Sequence, residues 1–183
     1  MFGPLRRAGQ IAAATGARLG GTGMSNPMKA YAGIEPLLLK ARRVDGGWCI
    51  NGTLPWVSNL GPDHYFGAIA AVQVDGACAG RELMFMLRCD APGVTLRACP
   101  EFSGMEGTGT YSVHCKDLFV GSDDVVADPA KPYIARIRGG FVLLQCGIAL
   151  SARRWRTRRY CLSCHIAHAK GERYRYHTPH GRL

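Results

Sequence analysis

Two hydroxyls and one indole, set in two short phrases, are the side chains best suited to hold a flat ligand. Ser25 lies in Gly23-Met24-Ser25-Asn26-Pro27, and Trp56 and Ser58 lie in Asn51-Gly52-Thr53-Leu54-Pro55-Trp56-Val57-Ser58-Asn59, with 23 residues between Pro27 and Asn51. A serine hydroxyl is a compact hydrogen-bond donor, while an indole offers a broad apolar face and one N–H. If Leu54 to Asn59 is extended, residues two apart share a face, so Trp56 and Ser58 reach one ligand together. The competing reading makes Trp56 an ordinary core residue in a strand that follows an Asn-Gly hairpin.

A second group of chemistry-bearing residues lies at the C-terminal end. Cys161-Leu162-Ser163-Cys164-His165 matches the pattern by which two thiols and an imidazole hold a c-type haem. That attachment needs an export route, yet Arg6 and Arg7 are followed only by a short Ala-rich stretch broken by Thr15, Gly16 and Arg18. Cys161 and Cys164 with two of His165, His168, His177 and His180 have the donor types for tetrahedral zinc, but only half the spacing fits. The expectation is therefore neither haem nor zinc. The run Arg153-Arg154-Trp155-Arg156-Thr157-Arg158-Arg159-Tyr160, with Tyr174 and Tyr176, supplies guanidinium groups for phosphates and rings for unpaired bases. Binding of nucleic acid or another polyanion through this tail is the alternative function.

The surrounding chain is of a different kind. Up to Ser151 there are 14 Lys and Arg against 12 Asp and Glu, and from Ala152 onward nine against one, so +8 of the net charge of +10 lies in residues 152–183. This switch reads as a disordered basic tail, either natural or from an altered reading frame, and nucleic acid is not the expected partner of the nearly neutral body. A chain of 183 residues can bury a proper core. Cys49, Cys78, Cys89, Cys99, Cys115 and Cys146 show no framework spacing, which suits a reducing, cytoplasmic setting. No apolar run is long enough to span a membrane. Turn-bounded runs at 37–42, 48–50, 65–74, 83–88, 94–98 and 111–115 predict a mainly β fold, an antiparallel β-sandwich or open barrel. Asp45-Gly46-Gly47 should make a hairpin turn, Pro4 to Leu19 is weakly helical, and Ile134 to Leu150 should form one apolar helix.

These phrases, in this order, resemble the β-rich middle domain of the acyl-CoA dehydrogenase family. There a small-aliphatic-Ser/Thr-Glu-Pro segment precedes an Asn-Gly and a Trp-aliphatic-Ser/Thr-Asn strand, and both meet the isoalloxazine of FAD. Glu106 to Val113 followed by Asp117-Leu118-Phe119-Val120 is similar to that domain's closing strand, and Gly139-Gly140-Phe141 to the opening of the helix after it. The resemblance covers about Leu19 to Leu150. It departs at Asn26, where the family usually has Glu, and over Lys29 to Glu35, which replaces a Gly-x-Gly-Ser-Asp type of loop and keeps only Gly33. A superfamily branch acting on another substrate, such as one like the flavin monooxygenases, fits these departures.

The resemblance implies a cofactor, FAD, contacted by Met24, Ser25, Trp56 and Ser58, and a substrate contact at Gly33. It implies an oxidoreductase that moves a hydride from an acyl thioester to flavin N5. The carboxylate that takes the α proton belongs, in that family, to a C-terminal helical bundle. No acidic residue of this chain is assigned that role, and the chain alone is expected to be inactive. The implied organisation is a remnant of an N-terminal helical domain over 1–22, the flavin-binding domain over 23–133, the first helix of an incomplete C-terminal domain over 134–151, and the tail over 152–183. The complete relative would take an acyl-CoA-type substrate, and assembly with further copies of the chain stays open.

Overall fold

The computed structural model describes residues 18–99, 108–144, 146, 147 and 150. Expectations for residues 4–17, for the strand phrase at 106–107 and for the whole Cys/His-containing basic tail lie outside the described residues. The chain divides into two compact units, Met1–Ile134 and Ala135–Leu183.

In the first unit the elements are β1 (Gly20–Thr22), α1 (Ser25–Tyr31), β2 (Leu39–Val44), β3 (Gly47–Val57), β4 (Tyr65–Val74), β5 (Ala77–Arg88), β6 (Val94–Ala98), β7 (Tyr111–Gly121), a 3-10 turn (Ser122–Asp124) and β8 (Val125–Ala127). The strands form one sheet in the order β6-β7-β3-β2-β4-β5-β8, with β1 added beside β4. The mainly β class stands, and the sheet does not close into a barrel. It is mixed rather than antiparallel throughout, because β1 and β2 both run parallel to β4. After the β2–β3 hairpin the chain crosses to the far side of β2 before entering β4, so the next strand is parallel to the hairpin's first arm.

Two hairpins carry the same dipeptide. Asp45-Gly46 joins β2 to β3, with Val44 opposite Gly47 and Gly46 at φ 73°. Asp75-Gly76 joins β4 to β5, with Val74 opposite Ala77 and both turn residues at positive φ, 50° and 80°, as a type I′ turn requires.

One face of the sheet holds the core. Leu39, Ala41, Trp48, Ile50, Leu54, Val57, Phe66, Ala68, Ala70, Leu83, Phe85, Val113, Leu118 and Val120 are buried in a single cluster. Phe66 and Phe85 meet edge to face, with ring centres 6.1 Å apart. Burial pushes the Cys89 thiol up to about 11 and the Cys115 thiol up to about 12, so both behave as core hydrophobes rather than nucleophiles.

Two irregularities between β3 and β7 reset which side chains face inward. From Ile50↔Leu118 to Gly52↔Cys115, β7 carries one extra residue, and from Leu54↔Val113 to Val57↔Tyr111, β3 carries one. At the first, Asn51-Gly52 does not turn the chain. The Asn51 side chain accepts from the Asp117 backbone N–H at 2.9 Å and donates to the Asp117 carboxylate at 3.2 Å, which holds Asp117 at φ 49°. At the second, the extra residue falls at Pro55-Trp56. A proline has no N–H for the ladder, so a bulge is where a strand tolerates one. The inward sequence Trp48, Ile50, Leu54 would put Trp56 in the core; the bulge puts Val57 there instead, 1% exposed, and leaves Trp56 62% exposed.

A helix, α2, begins at 130, earlier than the expected start at Ile134, so Gly139-Gly140-Phe141 lies inside helical backbone and does not open it. Pro129 immediately before it suits a helix start, and Ala130 and Ile134 are buried. Arg81 holds the Asp128 carboxylate through Nε at 2.6 Å. The described residues of the second unit, 135–144, 146, 147 and 150, are all helical, with Val142, Leu143, Leu144 and Leu150 exposed. No helix among the described residues is long and apolar enough to cross a membrane.

Candidate functional site

The bulge at Pro55 and the short helix α1 build a hollow between them. Gly23 crosses β3 so closely that a Cβ there would stand 2.6 Å from Leu54 Cδ1, and its N–H donates to the Gly67 carbonyl at 2.7 Å. This close crossing brings Ser25, at the start of α1, to the outer end of β3. A hollow of about 160 Å³ lies there, with residues 54–57 of β3 as its apolar wall and Ser25, Asn26, Lys29 and Glu35 as its polar one. Ordinary small-molecule pockets hold roughly 300–1,000 Å³. The hollow can therefore take one edge or one ring of a larger ligand, not the whole of it.

The polar wall is held together from within. Asn26 is buried, at 4% exposure. Its Nδ2 donates to Glu35 Oε1 and to the Pro36 carbonyl, both at 2.9 Å, and its Oδ1 accepts from the Leu38 N–H at 3.0 Å. Lys29 Nζ lies 3.6 Å from Glu35 Oε2, so this cation and this carboxylate largely cancel each other. Asn26 thus fastens α1 to the segment that leads into β2. Among the described residues lining the hollow, Glu35 is the one carboxylate, and its two oxygens are engaged by Asn26 and Lys29.

Of the residues singled out from the sequence, Ser25 and Trp56 both line the hollow. Ser58 is exposed one step beyond it, with the buried Val57 between it and Trp56, so the indole and this hydroxyl project outward from the same strand end. The Ser58 hydroxyl is 2.8 Å from that of Thr110. Met24 is placed otherwise: it is 6% exposed, and its carbonyl accepts the Met28 N–H that opens α1. Gly33 does not line the hollow. It closes α1 at φ 72°, with its N–H on the Ala30 carbonyl and the Ile34 N–H on the Lys29 carbonyl, the paired bonds of a Schellman cap.

Sequence reasoning missed Thr110 and Thr108 as parts of this region, and noted Asn26 and Glu35 only as departures from the family's pattern. Thr110 is brought to Ser58 by the pairing of Val57 with Tyr111, a register that no local pattern announces. Asn59, the last residue of the Trp-Val-Ser-Asn phrase, is a joint. At φ 62° it donates from Nδ2 to the Gly20 carbonyl at 2.8 Å, and its carbonyl lies 2.9 Å from His64 Nδ1. Among the described residues no three His, Cys, Asp or Glu side chains converge on a metal position.

No family model matches the chain. Among curated proteins it is similar to the mitochondrial isovaleryl-CoA dehydrogenase of rice (Oryza sativa subsp. japonica), 26% identical over 126 residues, which is 68% of this chain and 30% of that protein. Among solved structures, a glutaryl-CoA dehydrogenase from Mycobacterium smegmatis in complex with FADH2 superposes with a TM-score of 0.52 at 20% identity, covering 66% of this chain and 30% of that one. The HsaA monooxygenase from M. tuberculosis gives a TM-score of 0.51 at 18% identity, covering 68% of this chain and 29% of that one. These two likenesses show the fold. The chain spans about 30% of the length of the relatives it matches.

Proposed function

We propose that this chain, which resembles the acyl-CoA dehydrogenase family in its β-rich middle domain, is the flavin-facing part of an FAD-dependent oxidoreductase of that kind. One observation carries the proposal: the Pro55 bulge turns Trp56 and Ser58 outward together, beside a hollow that also presents Ser25. A buried tryptophan is ordinary, but a large ring turned into solvent by a bulge is placed to meet a ligand.

The residues present suit a flavin. An oxidised flavin accepts hydride at N5 and supplies the redox chemistry when bound; the protein has to offer donors to its N5/O4 edge and an apolar surface to one ring face. Here Ser58 and Ser25 are the donors and the Trp56 indole is the surface. Residues 54–57 exclude water from the ring edge, and the small hollow fits a ring rather than a dinucleotide. Gly33, as the helix cap, sets the path of residues 34–36 along the hollow's polar wall, which is how it would influence a substrate.

The acyl thioester is the expected substrate of the complete protein, and this chain by itself should not oxidise it. Proton abstraction needs a carboxylate within hydrogen-bond reach of the substrate. Glu35, the candidate among the described lining residues, is tied to Asn26 and Lys29. The 183-residue chain should therefore bind FAD yet leave it oxidised when an acyl-CoA is added without oxygen. Flavin absorbance reads the outcome directly: bleaching dependent on acyl-CoA would show that the chain carries its own base.

A further inference from the structure

We infer that Thr110, with Thr108 behind it, is the positioning residue for the Ser58 hydroxyl, and that these three hydroxyls form a chain that can point in either direction. The inference rests on the flavin reading above. Ser58 Oγ lies 2.8 Å from Thr110 Oγ1, and Thr110 Oγ1 lies 2.7 Å from Thr108 Oγ1. Both separations are those of O–H···O hydrogen bonds.

A hydroxyl has one proton to donate and lone pairs with which to accept. Three in a row therefore have two coherent arrangements. In one, Thr108 donates to Thr110, Thr110 donates to Ser58, and Ser58 turns its proton outward to the ligand. In the other, Ser58 accepts from the ligand and donates to Thr110, which donates to Thr108. Only protons rotate between the two.

The oxygens themselves are held by backbone. Asn59 N–H donates to the Thr108 carbonyl at 2.8 Å, and Leu60 N–H donates to the Gly109 carbonyl at 2.9 Å. Gly109 sits at φ 56° between the two threonines, a conformation that glycine adopts without strain. The chain of hydroxyls ends at Ser58, which is exposed, next to the outward Trp56.

A flavin offers an acceptor at N5 when oxidised and an N–H donor there when reduced. The two directions of the hydroxyl chain answer those two demands without moving a heavy atom, so Thr110 supports both redox states through Ser58. Removing its hydroxyl has unequal effects. Ser58 can still donate outward to the oxidised ring. When it must accept from the reduced ring, its own proton has lost its protein partner, and a donor left unpaired against a covered ligand costs binding.

Thr110→Val keeps the shape and removes the hydroxyl, and Thr110→Ser restores it. Oxidised FAD, and FAD reduced with dithionite, are titrated without oxygen against full-length wild type and both variants. In Thr110→Val, affinity for oxidised FAD should stay within about twofold, while affinity for reduced FAD falls about fivefold. The weaker hold on the reduced form lowers the midpoint potential of the bound flavin by about 20 mV, at 29.6 mV per tenfold for a two-electron couple. Thr110→Ser should behave as wild type. Equal affinities of Thr110→Val and wild type in both states, or equal losses in both, overturn the hydroxyl chain and leave the flavin reading standing. A wild-type chain that binds FAD in neither state overturns both.

Discussion

Replacing Trp56 with alanine should leave the fold within about 1 kcal/mol of wild type and weaken FAD binding by roughly fivefold to a hundredfold. The two effects separate because the indole is 62% exposed, so little core contact is lost with it. Aromatic stacking on a flat heterocycle is worth about 1–3 kcal/mol, and each 1.4 kcal/mol is a factor of about ten. Trp48 is the internal control. It is 4% exposed, with the Arg43 guanidinium 5.0 Å above its ring. Trp48→Ala should therefore cost about 3–5 kcal/mol of stability through lost packing. Urea unfolding of each variant, with FAD titrations on those that remain folded, reads both quantities. A Trp56→Ala chain that melts like Trp48→Ala would mean that the ring is part of the core.

Gly52→Ala should be among the most damaging single methyl additions, at about 3 kcal/mol or more. Gly52 sits at φ 135°, and a Cβ built there stands 2.3 Å from the Leu38 carbonyl oxygen and 3.1 Å from Leu39 Cα, backbone atoms that cannot swing aside. The neighbouring strand would have to move away from β3, and β3 carries the bulge that aims Trp56. Gly46→Ala gives the contrast. Its φ of 73° disfavours alanine, but nothing lies within 4 Å of the added carbon, so about 1 kcal/mol is expected. Thermal unfolding of the pair checks this, and similar losses in both would show that Gly52 does not touch β2.

The mainly β class, most strand positions and the Asp45-Gly46 hairpin were legible because they depend on local chemistry. Alternating apolar residues and turn dipeptides act over a few residues. Strand order was not legible: nothing in 58–64 says that the chain will cross β2 and make β4 parallel to it. Trp56 shows how the site lay between these cases. Counting by twos from Trp48 sends its ring inward, and only the bulge signalled by Pro55 reverses that. Trp56, inside the bulge, and Ser58, after it, are both exposed, on either side of the buried Val57. Met24 packs inside and Gly33 caps a helix, structural roles that no local pattern in the sequence announced. Asn51-Gly52 looked like a turn and is a strand joint, because its partner Asp117 lies 66 residues away along the chain.

The most direct test of the central claim is hydroxyl-radical footprinting of the full-length chain, with and without saturating FAD, read residue by residue by mass spectrometry. The account predicts strong protection of Trp56 by FAD, with Phe119, 54% exposed elsewhere on the sheet, labelled equally in both samples. FAD bound with Trp56 labelled as heavily as in the free protein, or no saturable binding of FAD, would contradict it.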